Sequence, residues 1–239
     1  MPAAEVTRLN RYIAQSGICS RREADELIKM GKVRVNNTLV TEMGYKVQPA
    51  DKVYFENKLL SKEQYRYVLL NKPKDFITTT DDPDERKTVM QLVSKACPER
   101  IYPVGRLDRN TTGVLLITND GELSKKLTHP SHEVVKVYQL EINEPITEED
   151  FLKIKDGFEL EDGFIKADEI ATLDDEGRHL GLQLHSGRNR IVRRIFEALG
   201  YEVVKLDRVL FAGLTKRDLP RGKWRFLSDK EVIQLKHLQ

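Results

Sequence analysis

One carboxylate set between two arginines is the feature of this chain best suited to chemistry. Residues 105–113 read Gly-Arg-Leu-Asp-Arg-Asn-Thr-Thr-Gly, so Asp108 lies between Arg106 and Arg109 in a polar loop. Val114 to Ile117 follow as the short apolar run of a covered strand, and Asn119-Asp120-Gly121 closes it with turn residues. An acid on a loop rooted in a stiff strand can serve as a nucleophile or as a general base. Flanking guanidiniums suit a polyanionic substrate better than a neutral sugar. A glycosidase with paired carboxylates would have to recruit a second acid, for which Asp120 is the candidate.

Two more segments could meet that acid. Lys136-Val137-Tyr138-Gln139-Leu140 lies in a half-buried strand over 134–142 and carries a phenol. Residues 187–195 form a cationic turn into a helix, with Arg188, Arg190, Arg193 and Arg194 and no acid among them. Over 190–199 that helix places Ile191, Val192, Ile195, Phe196 and Leu199 on one face. Arg190, Arg193, Arg194 and Glu197 share the other face, and Gly200 ends it. Tyr67 to Leu70, closed by Asn71-Lys72-Pro73, and Leu180 to Leu184 read as further strands.

Other chemistries lack their parts. The sequence has no dinucleotide fingerprint, P-loop or zincin motif. His129 and His132 bracket Pro130, which breaks helical spacing, and no third ligand accompanies them, so no metal is expected. Two cysteines, Cys19 and Cys97, cannot build a disulfide framework. With no apolar run of membrane-span length and no signal-peptide pattern, the expectation is a cytoplasmic protein that does not enter a membrane.

Charge is unevenly spread. Residues 1–62 hold 11 Lys+Arg against 7 Asp+Glu, whereas the remainder holds 29 against 31. A basic module therefore precedes a near-neutral body, as a polyanion-binding appendage would. Within it, Leu9, Tyr12, Ile13 and Ser16 keep helical spacing up to Gly17. Ser20-Arg21-Arg22-Glu23 is a capping box for a second helix that buries Ala24, Leu27 and Ile28 and stops at Gly31. Val33-Arg34-Val35 and Val53-Tyr54-Phe55 start two hairpins. Arg8, Arg11, Arg21, Arg22, Lys29, Lys32 and Arg34 cluster around these elements. Arg21 and Arg22 stand in a first helical turn, where the dipole disfavours cations, so phosphates are their natural partners.

The order Arg-Leu-x-x-Tyr-Ile, Ser-Arg-Arg-Glu-Ala, Gly-Lys-Val-x-Val-Asn resembles the small alpha-L RNA-binding domain shared with a small-subunit ribosomal protein. The Gly-Arg-Leu-Asp loop, the Tyr138 strand and the Arg188–Arg194 turn, in that order, resemble the pseudouridine synthases. The resemblance is to the ribosomal branch with an N-terminal alpha-L domain, and most of all to type B of its large-subunit enzymes. Asn71-Lys72-Pro73 and the closing Leu219-Pro220-Arg221-Gly222-Lys223-Trp224-Arg225 fit the same branch.

The resemblance implies an α+β protein. Residues 1–62 would be a helix-helix-hairpin RNA-binding domain and its joint. Residues 63–239 would be a mixed, mainly antiparallel sheet with flanking helices and a central cleft. It implies a monomer that isomerises a uridine of ribosomal RNA, large-subunit RNA being favoured, either naked or in a ribosome assembly intermediate. No cofactor is needed, because nothing is oxidised and nothing is added. The catalytic aspartate falls on Asp108, the active-site tyrosine on Tyr138, the basic partner of the aspartate on Arg193, and an apolar wall of the base pocket on Leu206. Arg106 would fill the gap left by a flipped base. Arg188, Arg190, Arg194, Arg8, Arg21, Arg22, Lys32 and Arg34 would hold RNA. A binding-only assembly factor with an inert body is the competing reading.

Overall fold

The structure is a computed structural model that describes residues 6–238. Its contacts divide the chain into two units, Met1–Tyr65 and Arg66–Gln239. In the first unit, helices Leu9–Gln15 and Arg21–Lys29 precede a four-stranded sheet built from two hairpins. The capping box forms: the Ser20 side chain accepts from the Glu23 amide, and the Glu23 carboxylate accepts from the Ser20 amide at 2.6 Å. Leu9, Ile13, Ala24, Ile28, Val33, Val35 and Val53 make this unit's core. Arg8, Arg21, Arg22, Lys32 and Arg34 are all on its surface.

The second unit is organised by one sheet, and seven strands carry it: β1 (Tyr67–Lys72), β2 (Thr112–Thr118), β3 (Lys136–Ile142), β4 (Glu169–Thr172), β5 (His179–Leu184), β6 (Val203–Phe211) and β7 (Trp224–Phe226). Their spatial order is β4-β5-β3-β6-β2-β1-β7, and two short strands extend the sheet at β6 and β2. Only the β6–β2 pair is parallel among these neighbours, so the sheet is mixed and mainly antiparallel. β1 and β2 are buried almost end to end, as expected of strands covered on both faces. Tyr67, Leu69, Val114 and Leu116 pack with Leu123, Leu127 and Leu235 on one side. Val68, Leu70, Leu115 and Ile117 pack with Val89, Val93, Ile101 and Leu107 on the other. A third cluster lies under helix Ile191–Ala198, which buries Ile191, Val192, Ile195 and Phe196 against Leu140, Leu182 and Leu206. Among the described residues, no helix is long and apolar enough to cross a membrane.

Two local readings change. Asn119-Asp120-Gly121 opens helix Gly121–Thr128, with the Asp120 carboxylate accepting from the Leu123 amide at 3.1 Å. The same residue types serve turns and helix N-caps, so the residues alone did not separate the two. Arg190 is not helical: it caps helix Ile191–Ala198 in a left-handed conformation, φ +48°.

The parallel β6–β2 contact depends on Gly113. Its φ is +108°, and a Cβ there would stand 2.1 Å from the Arg208 carbonyl oxygen and 2.7 Å from the Arg208 nitrogen. Backbone atoms cannot move aside as side chains do. We expect Gly113→Ala to cost about 3 kcal/mol or more in urea unfolding, from steric overlap added to backbone strain. A cost below about 1 kcal/mol would show that the two strands can part without penalty.

Candidate active site

The acid loop is held from beneath. Leu107 is buried, and Thr78 grips it twice: its hydroxyl donates to the Leu107 carbonyl at 2.8 Å and accepts from the Leu107 amide at 3.2 Å. The next turn is drawn down onto Lys72, the last residue of β1, whose side chain is fully buried. Its ammonium donates to the carbonyls of Asp108 (3.0 Å), Arg109 (3.3 Å), Thr111 (2.8 Å) and Pro73 (3.2 Å). Burial lowers the Lys72 pKa to about 8, and the charges of Asp108 and Asp75 oppose that shift. With its backbone tied inward, Asp108 leaves a partly exposed carboxylate at a cleft of about 720 Å³, an ordinary size for a small-molecule site.

The opposite walls come from the sheet and from helix Ile191–Ala198. Tyr138 on β3 and Arg208 on β6 are directly paired across the strands, as are Leu140 and Leu206. Side chains at paired positions share a face, so the phenol, the guanidinium and Leu206 all line the cleft. Arg106 stands exposed among the lining residues, and Arg188, Arg190 and Arg193 line it as well.

The expected partner of the acid is displaced by one helical turn. Among the described residues, the ion pair of Asp108 is with Arg190, Nη1 to Oδ2 at 3.7 Å. Arg193 instead donates to the Val203 carbonyl at 2.7 Å. Its pKa is lowered by burial and by Arg190, and Asp108 opposes the shift, so Arg193 is a charge neighbour of the acid rather than its bonded partner. Arg190 stands outside the helical series assumed for residues 190–199, as the left-handed residue before the helix.

Arg188 and Arg194 are already engaged within the protein. Arg188 donates to the carbonyls of Gly163 (3.0 Å) and Phe164 (2.9 Å), and Arg194 makes a forked pair with Asp162 at 2.8 and 2.5 Å. That fork, with Arg188 adding to it, lowers the Asp162 pKa to about 2. Both arginines thus brace the hairpin of Phe158–Leu160 and Gly163–Ile165. Asp120 is no second catalytic acid: it is buried, caps its helix and accepts from the Tyr67 hydroxyl at 2.8 Å. Glu133, an exposed residue, is the other carboxylate on the described wall of the cleft.

Several functional groups were not assigned from sequence. Lys72 carried a signal, a lysine before proline at the end of a strand that opens apolar, but three of its four acceptors lie 36–39 residues away. Asp207 accepts from Thr112 (2.7 Å) and Arg221 (3.0 Å) and pairs with Lys216. Burial alone would raise its pKa, but these three partners outweigh burial and hold it low. Arg221 also donates to the Asn71 side chain at 2.6 Å, so the end of β1, the start of β2 and β6 are tied behind the acid loop. The remaining two, Thr111 and Arg208, line the cleft.

The model of the RNA pseudouridylate synthase family matches residues 66–198, and that of the S4 domain matches residues 7–53. The chain is 43% identical over 236 residues to ribosomal large subunit pseudouridine synthase B of Bacillus subtilis, covering 97% of this chain and 96% of that protein. It is 35% identical over 231 residues to the dual-specificity RNA pseudouridine synthase RluF of Escherichia coli, covering 95% of this chain and 78% of that one. A crystal structure of a pseudouridylate synthase superposes with a TM-score of 0.70 at 30% identity, over 95% of this chain and 99% of that one.

Lys72→Met should destabilise the protein by about 3 kcal/mol, because buried carbonyls would lose their donor. Its pH dependence carries a sign. Lys72 titrates at about 8 when folded against 10.5 for the free side chain, so between those values the unfolded chain binds more protons. Through this residue, stability rises with pH across that window. Urea unfolding from pH 7 to 10.5 should show a steeper rise for wild type than for Lys72→Met. Parallel curves would mean that Lys72 is not held as a buried cation.

Proposed function

The chain belongs to the RNA pseudouridylate synthase family and carries an S4 domain ahead of its catalytic unit, and we propose that it converts a uridine of large-subunit ribosomal RNA to pseudouridine with Asp108 as the reacting group. One observation carries the reading: Asp108, Tyr138, Arg190 and Arg193, from separate parts of the chain, line one cleft. Similarity over nearly the full chain to a large-subunit synthase of type B supports the choice of RNA.

The reaction breaks the bond between ribose C1′ and N1 of uracil, turns the base, and joins C1′ to C5. Asp108 acts at the sugar, as nucleophile at C1′ or as base at the 2′ carbon. Arg190 pairs with the carboxylate at 3.7 Å, and Arg193 adds positive charge from the partly buried side. Tyr138 offers a flat face on which the displaced base stacks. Arg106, exposed beside the acid, fills the gap left in the RNA. The reading is of a monomer, acting in the cytoplasm on ribosomal RNA or an assembly intermediate. A binding-only protein would have no use for a carboxylate held so firmly at an open cleft.

Asp108→Asn keeps shape and charge contacts to RNA while removing the reactive oxygen. Pseudouridine formation on a large-subunit ribosomal RNA transcript should fall below about 1% of wild type, with RNA affinity within a few-fold. Retained activity would remove Asp108 from the chemistry.

The exposed cations of the S4 domain make a second expectation. A protein of residues 66–239 should bind that transcript more weakly and with a shallower salt dependence. The slope of log affinity against log salt should drop by about 0.7–0.9 for each phosphate that is no longer bound. Equal slopes for full-length and truncated protein would show that Arg8, Arg21, Arg22, Lys32 and Arg34 do not dock the substrate.

A further inference from the structure

Among the described residues, five buried side-chain polar atoms have no hydrogen-bond partner, and two of the residues bearing them, Arg208 (Nη2) and Thr111 (Oγ1), line the active-site cleft. An unpartnered buried donor costs a protein about 1–3 kcal/mol, so two at one cleft call for a reason. Both are firmly placed. Arg208 is 3% exposed; its Nε donates to the Val114 carbonyl at 2.9 Å and its guanidinium lies 4.5 Å from the Phe211 ring centroid. Thr111 is 2% exposed, and its backbone is fixed by the Asp108 carbonyl at 3.0 Å and the Lys72 ammonium at 2.8 Å. Neither side chain can swing to solvent to satisfy itself.

The charge around them points the same way. Lys136 lies on the same sheet face, two residues from Tyr138, and its ammonium is anchored on the carbonyls of Val134 (2.7 Å) and His185 (2.8 Å). Burial and the neighbouring Arg208 lower its pKa to about 8, while Asp168 opposes the shift. Burial also lowers the Arg208 pKa, and the Tyr138 hydroxyl opposes that shift. Two desolvated cations therefore crowd the floor beside Tyr138. Such a floor favours a ligand on which negative charge appears.

Resting on the isomerase reading above, we propose that the displaced uracil is the missing partner: Arg208 Nη2 donates to a ring carbonyl oxygen, and Thr111 Oγ1 bonds a second polar atom of the same ring. The charge balance explains why such contacts aid the reaction. When C1′–N1 breaks, the bonding pair leaves with uracil and spreads onto its carbonyl oxygens. C1′ is left either bonded to Asp108 or, after loss of the 2′ proton to Asp108, as an enol ether. Joining C5 to C1′ uses an electron pair of the ring; on the first route it displaces the Asp108 carboxylate from C1′, and on the second Asp108 returns its proton to the 2′ carbon. C5 then loses its proton and N1 gains one, so the product is an isomer with nothing added. The contact to Arg208 strengthens while uracil is detached, which is what accelerates a step rather than merely tightening binding.

The test uses full-length protein and a large-subunit ribosomal RNA transcript, made with uridine, 2-thiouridine or 4-thiouridine, because sulfur is a poorer acceptor than oxygen. Arg208→Lys should lower kcat about 100-fold with KM within a few-fold, the cost of one donor to developing charge. Thr111→Val, which removes an unsatisfied hydroxyl at nearly constant volume, should melt no lower than wild type yet turn over about tenfold more slowly. One of the two thio-RNAs should slow wild type markedly and Arg208→Lys much less, since the contact is already gone. Thr111→Val carries the same thio comparison if Arg208→Lys fails to fold. Wild-type turnover by Thr111→Val, or thio penalties equal in wild type and variant, would overturn the assignment. An inactive wild type on the uridine transcript is a separate failure: it sinks the isomerase reading, and this inference falls with it.

Discussion

The active site depends on one buried ammonium that pairs with backbone. Lys72 closes β1 inside the protein and draws three carbonyls of the acid loop, those of Asp108, Arg109 and Thr111, toward itself. Burying a cation is costly unless its donors are met, and here carbonyl dipoles meet them. The alternative, a direct ion pair with Asp108, would have engaged its carboxylate instead of its backbone. Because Lys72 holds the carbonyl side of the loop, the carboxylate faces the cleft with Arg190 beside it.

The same division between bracing and reacting runs through the other charges. Asp162 takes up Arg188 and Arg194, and Asp207 takes up Lys216 and Arg221, so four cations serve to fix a hairpin and the ends of three strands. Such pairs contribute little when exposed, but the Asp207 cluster is half-buried and joins β6 to β2, where the only parallel contact of the seven strands occurs. Register at that contact fixes the neighbours of Arg208 on one side, and the β3 pairing fixes them on the other. Gly113 makes this close approach sterically possible.

Much of this was legible in the sequence where one segment decided the outcome. The Ser20–Glu23 capping box, the covered strand after Asp108 and the apolar face of helix Ile191–Ala198 all follow from local spacing, and all are present. Legibility ended where distant residues decide. Lys72 could be seen as an odd ending to an apolar strand, but its acceptors are set by tertiary structure. Arg190, and not Arg193, makes the ion pair with Asp108, and nothing local in Arg190-Ile191 announces the left-handed residue that starts the helix. Asp120 was open to a turn or a catalytic reading until its burial, its helix cap and its contact with Tyr67 settled it as structural.

The unsatisfied groups have a different origin from these local ambiguities. A core selected for stability alone would place a Val at position 111 and an apolar residue at position 208, at the loss of the Arg208 bonds to the Val114 carbonyl and the Tyr138 hydroxyl. The two groups stand unmet beside Tyr138 in a sheet whose buried Asn71 and Thr118 side chains are bonded, whereas the other unpartnered atoms among the described residues, on Asn10, Gln15 and Glu99, do not line the cleft. Local violations of packing rules gather at functional sites because complementarity there is to a ligand rather than to the chain. Fixed strands on three sides mean that little reorganisation is required when charge develops, which is the condition for such groups to favour a reacting species over the ground state.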